Sequence, residues 1–144
     1  MATTQDNKAL VRRYYDEVFN QRRPELVDQL AVVDYVEHDP FPGQGSGIAD
    51  LKARVQLILD AMNPVHFTIE DILAEDDRVV VRWSQQATQT GPFMGIPPTG
   101  RTATFNGIDV HRLRDGRIAE HWHVVDLFAL LQQLGAIPAP SGAA

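Results

Sequence analysis

The chain has 144 residues, 44 % of them hydrophobic and 22 % charged, with 13 Lys and Arg against 19 Asp and Glu for a formal charge of −6. That length and composition specify one globular domain spanning 1–144, and the acidic balance leaves no basic stripe for a nucleic-acid partner. Without cysteine there is no disulfide, thiol nucleophile or thiolate ligand; with no apolar run approaching 18 residues and no apolar leader, a soluble cytoplasmic protein with no membrane partner is expected.

Thr3 to Asn20 predicts a helix. Leu10, Val11, Tyr14, Tyr15, Val18 and Phe19 recur at spacings of three and four, Lys8, Arg12, Asp16 and Glu17 point outward, and Thr3, Thr4 and Asp6 are candidate caps. Tyr14 and Tyr15 read as core, or as donors reaching a cavity. Pro24 opens a short helix through Leu30. Asp34 to Pro42, DYVEHDPFP, is an extended piece closed by a proline turn, with His38 where strand gives way to loop. There His38 either fixes the turn or serves a site.

Gly43 to Gly47 is a flexible loop, not a phosphate loop, because no Lys-Ser or Lys-Thr pair follows. A third helix is expected over Ile48 to Met62, with Leu51, Val55, Leu57, Ile58 and Met62 on its inner side and Asn63-Pro64 as its stop. From Val65 the period becomes two. One strand carries Phe67, Ile69 and Ile72; Ala74 to Asp77 turns the chain back; Arg78 to Thr90, with Val79, Val81 and Trp83 alternating, is the next strand. Gly91 to Arg101, GPFMGIPPTGR, is a loop whose Phe93, Met94 and Ile96 either plug the core edge or cover a pocket. Asp126 caps a closing helix that Gly135 ends, and residues 136–144 read as a flexible tail.

Between these lies Thr104 to Asp126, TFNGIDVHRLRDGRIAEHWHVVD, two strands joined at Asp115-Gly116. A two-residue loop pairs Arg114 with Arg117 and scatters polar and apolar residues over both faces. A three-residue loop, with Gly116 left-handed in a bulge, pairs Leu113 with Arg117. It sorts Ile108, Val110, Ile118, Trp122 and Val124 onto one face and Asp109, His111, His121 and His123 onto the other. The bulged register is therefore expected. One carboxylate and three imidazoles on a single strand face point to acid/base chemistry, because histidine titrates nearest neutrality. Three helices, at least four sequential strands and a last helix make an α+β fold with an antiparallel meander.

The loop GPFMGIPPTGR, the strand FNGIDVHRLRDGRIAEHW, the tail VVDLFALLQQLG and the turn YVEHDP resemble the SnoaL-like polyketide cyclases of the nuclear transport factor 2-like superfamily, over nearly the whole chain. The resemblance implies a curved antiparallel sheet with N-terminal helices enclosing a conical pocket, and intramolecular aldol closure of a hydrophobic, aromatic polyketide-like substrate without metal or cofactor. It also implies an Asp two residues after the His of a His-Trp-Asp motif. Here the motif reads His121-Trp122-His123, and Asp109 lies near the place of a histidine on the facing strand, so the two groups exchange positions.

On this reading His123 is the base, Asp109 orients a neighbouring imidazole, and His121 donates to the oxyanion. The expected substrate contacts are His38, Tyr35, His111, Trp83, Phe93 and Met94. A metal held by His121, His123 and Asp109 or His111, other cofactor-free chemistry of the superfamily (hydroxylation, isomerisation, hydrolysis) and a non-catalytic binding module are the competing readings. The outward face with Ile108, Val110, Trp122 and Val124 needs a cover, and a homodimer is expected, as the superfamily commonly dimerises through its sheet.

Overall fold

The computed structural model describes residues 2–138. Helix α1 (Thr4–Arg13) starts at a reciprocal cap in which Thr3 Oγ1 accepts from the Asp6 amide at 3.1 Å and Asp6 Oδ2 accepts from the Thr3 amide at 2.9 Å. The helix does not continue unchanged to Asn20 as expected: Tyr14–Asn20 is π-helical. The wider turn keeps Tyr14, Tyr15, Val18 and Phe19 all on the buried side, and such stretches are frequent at functional sites. A 3₁₀ turn (Pro24–Leu26) leads into α2 (Val27–Leu30), and α3 spans Ile48–Ala61. In α3 the core residues are Leu51, Val55 and Leu59, and Arg54 is buried beside them, whereas Leu57 is only partly covered.

Five strands, β1 (Ala31–Glu37), β2 (Met62–Glu75), β3 (Arg78–Gln89), β4 (Thr102–Arg114) and β5 (Arg117–Val125), form one open sheet in the order β1-β5-β4-β3-β2. The expected meander covers β2 to β5. The sheet is nevertheless mixed, because β1 adds to the edge parallel to β5, pairing Glu37 with His121. Alternation is nearly regular along β3 and β4: Val79, Val81, Trp83, Gln85, Ala87 and Gln89 face inward, as do Ala103, Phe105, Gly107, Asp109, His111 and Leu113. Helix α4 (Leu127–Gln133) is capped by Asp126 Oδ1 accepting from the Ala129 amide at 3.0 Å, and Gly135 follows at φ 77°. No described helix is long and apolar enough to cross a membrane. The predicted tail lies, beyond residue 138, outside the described residues.

The β4–β5 hairpin corrects one expectation while reaching the same sorting of faces. Its loop has two residues, with Asp115 at φ 53° and Gly116 at φ 73°, and pairs Arg114 with Arg117. The bulge sits farther along, at Ala119, between the pairs Leu113–Ile118 and Arg112–Glu120. Beyond it His111 pairs with His121 and Asp109 with His123, so all four share the inner face. Ile118, before the bulge, is turned inward and is 2 % exposed, contrary to its expected place beside Trp122.

Candidate active site

Helices α1, α3 and α4, the π-helical stretch and the 91–101 loop cover the concave face of the sheet and leave a pocket of about 620 Å³, part of it continuous with solvent. Phe19, Met62, Phe67, Trp83, Phe93 and Phe105 belong to its apolar wall, and Asp109, His121, His123, Arg54 and Gln85, with Tyr14 and Tyr15, supply the polar groups. Gly107 makes room for Trp83: a Cβ there would stand 2.1 Å from the indole Cζ2. Gln89, fully buried, fixes the 91–101 loop. Its amide donates to the carbonyls of Gly91, Ile96 and Pro97 at 3.1–3.2 Å, and its oxygen accepts from Thr99 Oγ1 at 2.8 Å.

The ionisable groups form a chain anchored by residues from five elements. His121 Nδ1 lies 2.6 Å from Glu37 Oε1, which also accepts from Arg54 Nη1 and from Tyr35 OH at 3.0 Å. On its other side, His121 Nε2 is 3.5 Å from Asp109 Oδ1; neither atom has a hydrogen-bond partner among the described residues. Asp109 Oδ2 accepts from Tyr15 OH, whose oxygen is 2.8 Å from His111 Nε2. Since the Tyr15 proton goes to the carboxylate, His111 donates through Nε2 and keeps a bare Nδ1. His123 Nε2 is 2.6 Å from the Asp39 carbonyl oxygen, which can only accept, so the ring carries its proton on Nε2 and its lone pair on Nδ1.

These contacts set the charges. Burial pushes Asp109 up, but the nearby His121 charge, with His111 and the hydrogen bond from Tyr15, holds its carboxyl well below the usual carboxylate range. Glu37 is likewise opposed by burial and held low by His121 and Arg54. Burial draws His121 down; Asp109 and Glu37 outweigh that and leave it above an ordinary histidine. Burial and the His121 charge push His111 down to about 3 and lower His123. The wall thus favours charge on His121, between two carboxylates, and disfavours it on His123, 4.7 Å away by ring centroids.

Of the residues expected from sequence, Asp109, His121, His123, Trp83 and Phe93 line the pocket. His111 and Tyr35 are buried behind that wall, in contact with Tyr15 and Glu37. His38 is on the opposite side of the sheet, stacked on Trp122 at 4.4 Å and bonded to Glu120 at 2.9 Å, because β1 alternation that turns Glu37 inward turns its neighbour outward. Met94, at φ 48° in the loop, is 41 % exposed and outside the lining, while Phe93 beside it is buried in it. Sequence reasoning passed over Glu37, Arg54, Tyr15's bond to Asp109 and Gln85. The alternation Tyr35-Val36-Glu37 was the available signal for Glu37.

Two groups have the spacing of metal ligands: Glu37, His121 and His123, and Asp109, His111 and His121, with their ligand atoms within 4.8 Å of one another. In both, the carboxylate is already bonded, to Arg54 or Tyr15, and the shared His121 is surrounded so as to favour its charged form. A metal ion would compete with fixed positive charge there.

The chain matches the sequence model of the SnoaL-like polyketide cyclases over residues 9–134. Among solved structures it is similar to TsrD of Streptomyces laurentii, at 28 % identity and a TM-score of 0.85 over 95 % of this chain and 100 % of that one. It is also similar to AclR of Streptomyces galilaeus, described provisionally as a hydroxylase, at 27 % identity and a TM-score of 0.84 over 97 % and 87 %. A third is IdmH of Streptomyces antibioticus, described provisionally as a polyketide cyclase, at 29 % identity and a TM-score of 0.76 over 90 % and 98 %. No curated protein sequence matches significantly. The match over most of its length places this chain in the SnoaL-like polyketide cyclase family.

Proposed function

We propose that the protein is a cyclase that closes a ring by intramolecular aldol addition in a flat, hydrophobic carbonyl compound of aromatic polyketide type. The observation that carries this reading is the contrast within one pocket: an aromatic wall, and on one side two histidines in ring contact, one charged and one neutral. His123 Nδ1 removes a proton from the carbon next to a carbonyl, and the resulting carbanion forms the new carbon–carbon bond at a second carbonyl of the same molecule. The carbonyl π pair becomes an alkoxide. His121 stabilises it by its charge, and the proton on His123 returns to it. The sum is an isomerisation, so electrons balance without an oxidant or reductant. Asp109, between His121 and Tyr15, keeps His121 charged.

Deuterium exchange at carbons next to the ketone of simple aryl ketones in heavy water tests the proton-abstraction step without knowledge of the natural substrate. His123→Ala is expected to slow exchange at least about tenfold, a conservative bound beside the ~10²–10⁴-fold that a general base typically supplies. Exchange as fast in His123→Ala as in the unaltered protein would overturn the assignment. Likeness to AclR favours a second reading, in which the substrate is hydroxylated at the same carbon. Ketone-dependent oxygen uptake separates the two.

A further inference from the structure

The acid/base wall occupies one part of the pocket, and a different polar group stands apart from it farther along the sheet. Gln85 is 5 % exposed and lines the pocket from β3, with Phe67 opposite it on β2 and Phe105 on β4. Among the described residues its carboxamide has no hydrogen-bond partner. Its nitrogen and oxygen are nevertheless not enclosed as the orphaned Trp83 Nε1 is, so their small remaining exposure opens to the pocket. An amide in an aromatic wall is unfavourable relative to an apolar side chain unless a polar group meets it.

Register fixes its distance from the chemistry. Val81 pairs with Asp109 and Gln85 with Phe105, so Gln85 lies four residues along the sheet from Asp109, roughly 13 Å at about 3.3 Å per residue. That interval suits an elongated fused-ring molecule, not a single ring. The hydroxyl of Tyr15, whose ring packs on Phe67 at 5.5 Å, is taken by Asp109, which leaves the Gln85 carboxamide unpartnered beside Phe67 and Phe105.

We propose that Gln85 is a second recognition point, whose carboxamide hydrogen-bonds a hydroxyl or carbonyl oxygen on the ring of a linear polycyclic ketone most distant from the carbonyl held at His121 and His123. The claim deepens the cyclase reading and rests on it for which end holds the reacting ketone. Gln85 selects the substrate; the proton transfer does not pass through it.

The test uses two probes, a dihydroanthracenone and its analogue hydroxylated on the ring remote from the ketone, titrated calorimetrically into the full chain. The unaltered protein should bind the hydroxylated probe about tenfold more tightly, the equivalent of about 1.4 kcal/mol. Gln85→Met, close in shape, should bind both equally, and Gln85→Asn, whose shorter amide falls back from the pocket, should retain less than half of the preference. Removing an unpaired amide should leave the melting temperature of Gln85→Met unchanged or raised. Equal binding by the unaltered protein, or the full preference surviving in Gln85→Met, overturns the proposal. His123→Ala keeps the tenfold preference while losing deuterium exchange of the same probes. A preference that is present where exchange never occurs leaves the Gln85 subsite standing and sinks the cyclase chemistry.

Discussion

Four buried charges, Glu37, Asp109, Arg54 and His121, sum to zero, which lets them stand together away from water. Glu37 and Asp109 hold His121 charged, whereas His123 feels the desolvation and the repulsion of His121 without a carboxylate bond of its own. The two rings therefore titrate on opposite sides of the ordinary histidine value, about 6.5. Deuterium exchange should follow a bell-shaped pH profile. Its acid limb, below about pH 6.5, reports protonation of the His123 base; its basic limb, above that value, reports loss of the His121 proton. His121→Gln should abolish the basic limb and keep the acid one. An unchanged basic limb in that variant, followed by pH-dependent exchange rates, would remove His121 from the donor role. The imidazoles were legible in sequence because period two on an antiparallel strand leaves one question, the register. Arg54 and Gln85 were not, since a lone polar residue in an amphipathic helix or alternating strand ordinarily marks the solvent side.

At the level of elements, a sequence of local signals defined the helix caps, the Asp115-Gly116 turn and the meander, each written within a few neighbouring residues. The parallel edge strand was not so written, because β1 and its partner β5 are some 80 residues apart and neither hairpin nor crossover helix announces them. The bulge at Ala119 escaped for a related reason: alternation reports parity, and a bulge at Gly116 or at Ala119 gives the same parity from Glu120 onward. The 91–101 loop depends on one side chain. Gln89→Leu removes the donor to three loop carbonyls and the acceptor for Thr99, and should lower stability by about 1–3 kcal/mol. Limited proteolysis should then cut within 91–101 well before unfolding. A loop as resistant as in the unaltered protein would show that Phe93 and the backbone bonds of the loop suffice to hold it in place.

For the whole molecule, the sheet divides the chemistry. Its concave side carries the pocket, and its convex side carries Val36, Ile108 and Val124, respectively 39 %, 48 % and 77 % exposed, around Trp122. Trp122 is held between His38, stacked at 4.4 Å, and Arg78, whose guanidinium lies 5.2 Å from its ring. Glu120 and Arg112 pair beside it. Exposed apolar side chains beside charges of both signs are the composition that an interface between two copies related by a two-fold axis can use. We propose that a second copy of this chain covers that face. Sedimentation at micromolar concentration should give a dimer, and Val124→Glu should give a monomer by placing two unpaired carboxylates in the interface. Because Val124 is largely exposed and its neighbours on the convex side make no pocket contact, the monomeric variant should keep its fold, its ketone binding and its deuterium exchange. A monomer at the same concentration for the unaltered chain, or a dimer that Val124→Glu leaves intact, would assign the convex face to another role.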